Sequence, residues 1–217
     1  MSCKAIRQND EMFCHACGFR WDVDDMFPPS CWPARPRTTV LGLSGAAGSG
    51  KSSVAEYLEQ RHGYRRLRFA QPLKDALRRM LQSAMLDDHS IERMVEGDLK
   101  ELPTPILMGK TPRHAMQTLG TEWGRNCIDG NFWVNVMRHT IRALPPATRV
   151  VIEDVRFENE ASMVRDFGGK VIRLTGRGGL TDKSHPSENG VTPDVTFDNS
   201  WSMSDLRAWV DQYVTSQ

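Results

Sequence analysis

The chemistry of this chain begins at Gly45-Ala46-Ala47-Gly48-Ser49-Gly50-Lys51-Ser52, a G-x-x-x-x-G-K-S run. Glycines at this spacing let backbone N–H groups wrap an anion where any side chain would intrude. Lys51 then reaches the outer phosphates of a nucleoside triphosphate. The Ser52 hydroxyl completes a Mg²⁺ shell otherwise made of water and phosphate oxygens. Gly45, Gly48, Ser49, Gly50, Lys51, Ser52 and Ser53 are therefore the expected phosphate-binding set.

A second group of candidates lies far downstream. Asp154 ends the apolar run Val150-Val151-Ile152, the place from which a carboxylate holds Mg²⁺ or its water beside such a loop; the plainer reading is a solvated strand-end acid. Glu153 precedes it, whereas motor ATPases put a water-polarising Glu after the metal-binding Asp, so the order favours transfer to a bound acceptor over hydrolysis. Arg113, Arg125, Arg156, Arg173 and Arg177 could grip a moving phosphoryl group or a second phosphate, although any one of them is as readily a surface residue. Arg125 and Arg156 lead, because each directly follows a buried-looking element. Phe69 and Lys74 are expected at the same ligand-bearing edge. Trp123 offers a stacking surface for a base, with Phe132 and Trp133 beside it, though aromatics at this spacing are more often core. His185 is a phosphate contact or a plain loop histidine. Asp166-Phe167-Gly168 spells a protein-kinase triplet but sits at a helix end without its partner loop, and is discounted.

Four of the five cysteines, Cys3, Cys14, Cys17 and Cys31, fall within the first 31 residues. Cys14-His15-Ala16-Cys17-Gly18 is a C-x-x-C-G turn that lets two thiolates reach one tetrahedral ion, with Cys31 and Cys3 as the other ligands of a structural Zn²⁺. Cys3 has no second C-x-x-C partner, so reduced thiols in a loosely ordered tail stay the alternative. Four prolines and few periodic apolar residues leave residues 1–37 without a core of their own, a deficit a metal would make good.

These residues need a scaffold, and the patterning of the chain supplies one. The 217 residues suit one P-loop domain over 38–217 with the cysteine-rich appendage 1–37. Thr39 to Ser44 reads as a strand, followed by a helix to about Arg61 that His62-Gly63 stops. Tyr64 to Phe69 is a second strand, and a helix carrying Leu73, Ala76, Leu77, Met80 and Leu81 follows. The polar stretch 82–108 reads as a mobile or substrate-covering insertion with a short helix near Ser90 to Glu96. Thr111-Pro112 caps a helix that ends at Gly120, before a tight segment Thr121 to Arg125. Phe132 to Leu144 is helical, Arg149 to Val155 a strand, Asn159 to Phe167 helical and Lys170 to Leu174 a strand. A loop from Gly176 to Gly190, a strand Val195 to Phe197 and a helix Ser204 to Val214 close the chain. Such alternation predicts a three-layer α/β/α fold with a mostly parallel sheet, whose ligands lie beyond the carboxyl ends of the strands.

Composition excludes some classes. With 28 basic against 27 acidic residues there is no global basic field, so nucleic acid is not expected as a partner. No apolar run approaches the roughly 20 residues of a membrane span, and MSCKAIRQND is too polar for a signal peptide, which places the chain in the cytosol.

The P-loop, FAQPLKDAL at Phe69 to Leu77, TPRHAMQTLGTEWGR at Thr111 to Arg125, FWVNVM at Phe132 to Met137 and VIEDVRFENEA at Val151 to Ala161 together resemble the bacteriophage deoxynucleoside monophosphate kinases. The resemblance spans about 38–217. It implies a nucleoside-monophosphate-kinase-like fold, ATP and Mg²⁺ as donor complex, a deoxynucleoside monophosphate as acceptor and the host cytoplasm if the chain is phage-encoded. By chain order it also suggests that Arg177 to Asn189 takes the place of a lid. Such an acceptor already presents an ionised oxygen, so positioning and charge neutralisation suffice and no general base is expected. Two other readings stay open: a P-loop kinase of another phosphorylated metabolite, such as mevalonate phosphate or dephospho-coenzyme A, and a nucleotide-regulated DNA-binding adaptor. Neither the bases accepted nor the oligomeric state, a homodimer included, is readable.

Overall fold

The computed structural model describes residues 5–8, 11–14, 20–22, 38–176, 191–200 and 202–216. They fall into two units, Met1–Arg37 and Thr38–Gln217. In the first, β1 (Ala5–Gln8), β2 (Glu11–Cys14) and β3 (Arg20–Asp22) form an antiparallel sheet in which Ala5 lies opposite Cys14 and Met12 opposite Trp21. A small sheet thus stands in the segment that sequence alone left without a core of its own, and the segment's four prolines all lie beyond β3. Cys3, Cys17 and Cys31 lie outside the described residues, and Cys14 closes β2.

In the second unit β4 (Thr39–Ser44), β5 (Arg65–Leu67), β6 (Arg149–Ile152), β7 (Lys170–Thr175) and β8 (Val195–Asp198) form a parallel sheet in the order β5-β6-β4-β7-β8. The connecting helices are α1 (Lys51–His62), α2 (Gln71–Ser83), α3 (Asp88–Val95), α4 (Pro112–Thr118), α5 (Phe132–Ala143), α6 (Glu158–Asp166) and α7 (Met203–Thr215). Successive strand side chains point to opposite faces, and here both faces are apolar. Val40, Val150, Ile152 and Val171 pack with α5 and α6; Leu41, Leu43, Val151, Ile172 and Leu174 pack with α1 and α7. The result is a three-layer α/β/α sandwich. The chain winds to one side of β4 through β5 and β6 and to the other through β7 and β8. The carboxyl end of β4 is therefore a topological switch point, where open parallel sheets bind ligands.

Local signals set most boundaries. Gly63, at φ 68°, ends α1 as expected, its N–H donating to the Leu58 carbonyl. Thr111 caps α4 by accepting from His114 N. The second strand is only three residues long, since Phe69 already belongs to the turn into α2.

Two expectations are corrected. The stretch 82–108, expected as an irregular, mobile or substrate-covering insertion, is not irregular: Asp87 caps α3, and Ile91 and Val95 bury against Leu77, Leu81 and Met116 as a third hydrophobic core. Two 3₁₀ turns, Asp98–Glu101 and Pro105–Leu107, follow it. Nor does the helix beginning at Pro112 stop at Gly120. It widens into a π-helix, Leu119–Ile128, in which the Asp129 N–H reaches back five residues to the Gly124 carbonyl. The Trp133 indole N–H donates to the Gly120 carbonyl at 2.8 Å, taking an acceptor from the helical ladder. Among the described residues no helix is long and apolar enough to cross a membrane.

Candidate active site

The loop between β4 and α1 is a cradle that only glycine can line. Gly45, Gly48 and Gly50 have φ of 135°, 77° and 99°. A Cβ on Gly45 would lie 2.5 Å from the Leu174 carbonyl oxygen, and one on Gly50 2.4 Å from the Asn199 amide nitrogen. Ser49 is fully buried, and its hydroxyl has no hydrogen-bond partner among the described residues. Lys51 Nζ donates to the Gly45 and Ala46 carbonyls at 2.7 and 2.6 Å, so the ammonium folds over the mouth of the cradle. Burial holds the Lys51 ammonium below its ordinary pKa; the Arg156 charge adds to this, and Glu153 and Asp154 oppose it. Ser52, next in sequence, is exposed, and Ser53 is half-buried.

Asp154 stands just past β6, the strand beside β4. Its Oδ1 accepts from Phe69 N at 2.8 Å and its Oδ2 from Ala70 N at 3.0 Å, so it ties the end of one strand to the start of α2. Burial pushes its carboxyl above the usual range against the pull of these two amides and of Arg156. Phe69, expected at the ligand-bearing edge, lies in this turn. Its ring is 6% exposed within the core, and its contribution is the N–H given to Asp154. Lys74 likewise faces protein, donating to both Glu96 oxygens at 2.8 and 2.6 Å. Glu153 is held by Arg66 and Arg68, which keeps it from polarising a water.

The π-helix carries the third side of the site. Arg125 Nη2 donates to Glu160 Oε1 at 2.7 Å and Nη1 to the Gly130 carbonyl at 3.3 Å, with the guanidinium 4.0 Å over the Phe157 ring. Trp123 is 45% exposed, edge-on to Phe132, and tilted against Trp133. Of the three aromatics only Trp133 is buried in the core, where it fills the space a Cβ at Gly124 would need.

The other arginines separate. Arg156 is exposed, and its guanidinium has no hydrogen bond or ion pair among the described residues. Arg113 pairs with Glu101, and Arg173 donates to the Val191 carbonyl. Arg177 and His185 lie outside the described residues. Two residues escaped the sequence reading. Glu160 carries a legible signal, an acid at the third position of a helix, where capping glutamates stand. Asn199 carries none.

A family model for deoxynucleotide monophosphate kinase matches residues 106–208. A protein of Acanthamoeba polyphaga mimivirus, provisionally named a deoxynucleotide monophosphate kinase, is 36% identical over 159 residues, covering 69% of this chain and 80% of that protein. The deoxynucleoside-5'-monophosphate kinase of Escherichia phage T5 is 33% identical over 88 residues, 37% of this chain and 35% of its own length. Among solved structures, a Thermus thermophilus protein is 16% identical with a TM-score of 0.46, covering 83% of this chain and 98% of that one. The APS kinase of Mycobacterium tuberculosis in complex with AMPPNP and APS is 15% identical with a TM-score of 0.40, covering 83% and 99%. Likenesses this loose have no bearing on substrate.

Proposed function

This chain belongs to the deoxynucleotide monophosphate kinase family and transfers a phosphoryl group to a deoxynucleoside monophosphate; we propose that ATP is the donor and that the reaction takes place at the carboxyl ends of β4 and β6. The observation that supports this placement is the positive-φ glycine cradle at the end of β4, next to the end of β6, where Asp154 is held by the Phe69 and Ala70 amides.

The cradle of Gly45, Gly48 and Gly50 fits phosphate, since a Cβ at Gly45 or Gly50 would meet protein atoms. Lys51 then exchanges the loop carbonyls for β- and γ-phosphate oxygens. The exposed Ser52 hydroxyl and the Asp154 carboxylate fit Mg²⁺, which needs few protein oxygens when phosphates and water supply the rest. When bound, Mg²⁺ supplies charge neutralisation on the donor oxygens. Arg156, unpaired, meets the transferring phosphoryl group, and Arg125 holds the acceptor phosphate with the N–H groups that Glu160 and Gly130 leave free. The exposed face of Trp123 stacks the acceptor base. Arg177, two residues beyond β7, is assigned to the same phosphates by its place in the chain. No side chain need remove a proton, because the acceptor phosphate is already ionised.

The test is a panel of deoxynucleoside and ribonucleoside monophosphates incubated with ATP and Mg²⁺, scored by diphosphate formation. Turnover of at least one deoxynucleotide is expected, and none on any member overturns the reading. For the first unit, we propose a structural Zn²⁺ on Cys3, Cys14, Cys17 and Cys31, supported by the C-x-x-C-G spacing. Metal analysis of protein purified without chelator should find about one zinc per chain. Sedimentation of the full chain tests whether it forms a homodimer.

A further inference from the structure

Glu160 is almost fully buried, at 2% exposure, and nothing in the transfer scheme uses it. Its two oxygens face different parts of the site. Oε1 accepts from Arg125 Nη2 at 2.7 Å; Oε2 accepts from Arg156 N at 2.8 Å and Phe157 N at 3.2 Å. One carboxylate therefore joins the π-helix that carries Arg125 to the strand-end turn that carries Arg156. We propose that Glu160 is the positioning residue of the acceptor site, fixing the distance and orientation between the two arginines that receive the acceptor phosphate and the moving phosphoryl group. This rests on the kinase reading above.

The geometry supports more than a helix cap. A glutamate at the third helical position needs only its bonds to the backbone N–H groups ahead of the helix, and Oε2 alone makes both. Oε1 is left for Arg125. The guanidinium is then constrained on three sides: by Glu160, by the Gly130 carbonyl and by the Phe157 ring beneath it. Asn159, next to Glu160, bonds the same Gly130 carbonyl and the Asn131 side chain, so the turn after the π-helix is held from the same helix. A flexible arginine on a widened helix would meet its phosphate in many poses. One locked against a buried carboxylate meets it in a single pose, and transfer rates depend steeply on such orientation.

Glu160→Gln separates the two roles. Glutamine keeps an oxygen for the backbone amides and caps helices well, but it turns an NH₂ group toward Arg125. The full chain carrying E160Q should melt close to wild type, with the KM for the deoxynucleoside monophosphate raised about tenfold or more, kcat lowered, and the KM for ATP within about twofold. In an Arg125→Ala background the same change should add little to acceptor KM, because the contact it disrupts is already gone. Should E160Q not fold, Glu160→Asp, which keeps the charge but withdraws it by one methylene, reads the same split. A wild type active on a deoxynucleotide beside a folded variant with unchanged acceptor KM overturns the positioning role alone. A wild type inactive on every monophosphate overturns the kinase reading and this role with it.

Discussion

Asn199 Nδ2 donates to the Ser49 carbonyl at 2.9 Å, joining the residue just beyond β8 to the middle of the phosphate cradle. A peptide is planar with C=O and N–H on opposite sides, so pinning the Ser49 carbonyl outward turns the Gly50 N–H inward. That N–H has no partner among the described residues, as a donor reserved for an anion should not. Asn199 is 2% exposed, and its amide stands where a Cβ of residue 50 would be, so it positions the loop and also fixes Gly50 as glycine.

Asn199→Leu should therefore weaken the donor side selectively. The loss of one hydrogen bond to a buried carbonyl costs about 1–3 kcal/mol of stability. The KM for ATP should rise about tenfold while the acceptor KM holds. Equal changes in both would contradict the assignment.

Lys51 makes its only described hydrogen bonds to exposed loop carbonyls, so its removal should hardly touch the fold. Lys51→Ala is expected to shift stability by less than about 0.5 kcal/mol and to lower transfer about 10²-fold or more. A folded K51A variant with near-native turnover would remove Lys51 from the mechanism.

Glu153 behaves oppositely. It is nearly buried between Arg66 and Arg68, and its loss leaves two guanidinium groups facing each other. Glu153→Ala should cost about 2–4 kcal/mol in chemical denaturation, whereas E153A turnover per folded molecule should stay within a few-fold. A large loss of turnover with intact stability would instead make Glu153 part of the chemistry.

The sequence disclosed what is local. The phosphate cradle is one contiguous segment, so its glycines, Lys51 and Ser52 were legible at once, and Asp154 followed from its place after an apolar strand. The layers were legible because both strand faces are apolar over three or four residues at a time. What stayed hidden depends on partners distant in the chain. Lys74 looks like a free cation until Glu96 arrives from α3, and Phe69 looks like a strand-end aromatic until Asp154 claims its N–H. Within the π-helix the Gly120 carbonyl accepts from the Trp133 indole, and no pattern of residue types within 119–128 announces that. In 82–108 the apolar pair Ile91 and Val95 was too sparse among charges to signal a core that Leu77, Leu81 and Met116 complete.

The Glu160 carboxyl gives the last prediction its sign. It is pushed up to about 7 from an ordinary 4.5, first by burial and then by the charge of Asp154, while the Arg156 and Phe157 amides and Arg125 pull it back. Between 4.5 and 7 the native chain holds a proton here that the unfolded chain has released. Stability from this group is therefore fully present below 4.5, declines as pH rises through this window, and levels off as pH rises past about 7. The slope approaches about 1.4 kcal/mol per pH unit at most. Asp154, also raised by burial, contributes in the same direction, so the wild-type curve alone does not isolate Glu160. The difference between wild type and E160Q does, because glutamine does not titrate. Urea denaturation of both at pH 5, 6, 7 and 8 should show wild type losing stability relative to E160Q most steeply from 5 to 7, with the loss levelling off from 7 to 8. A difference that stays flat across the whole range would mean that Glu160 is ionised throughout, held so by Arg125.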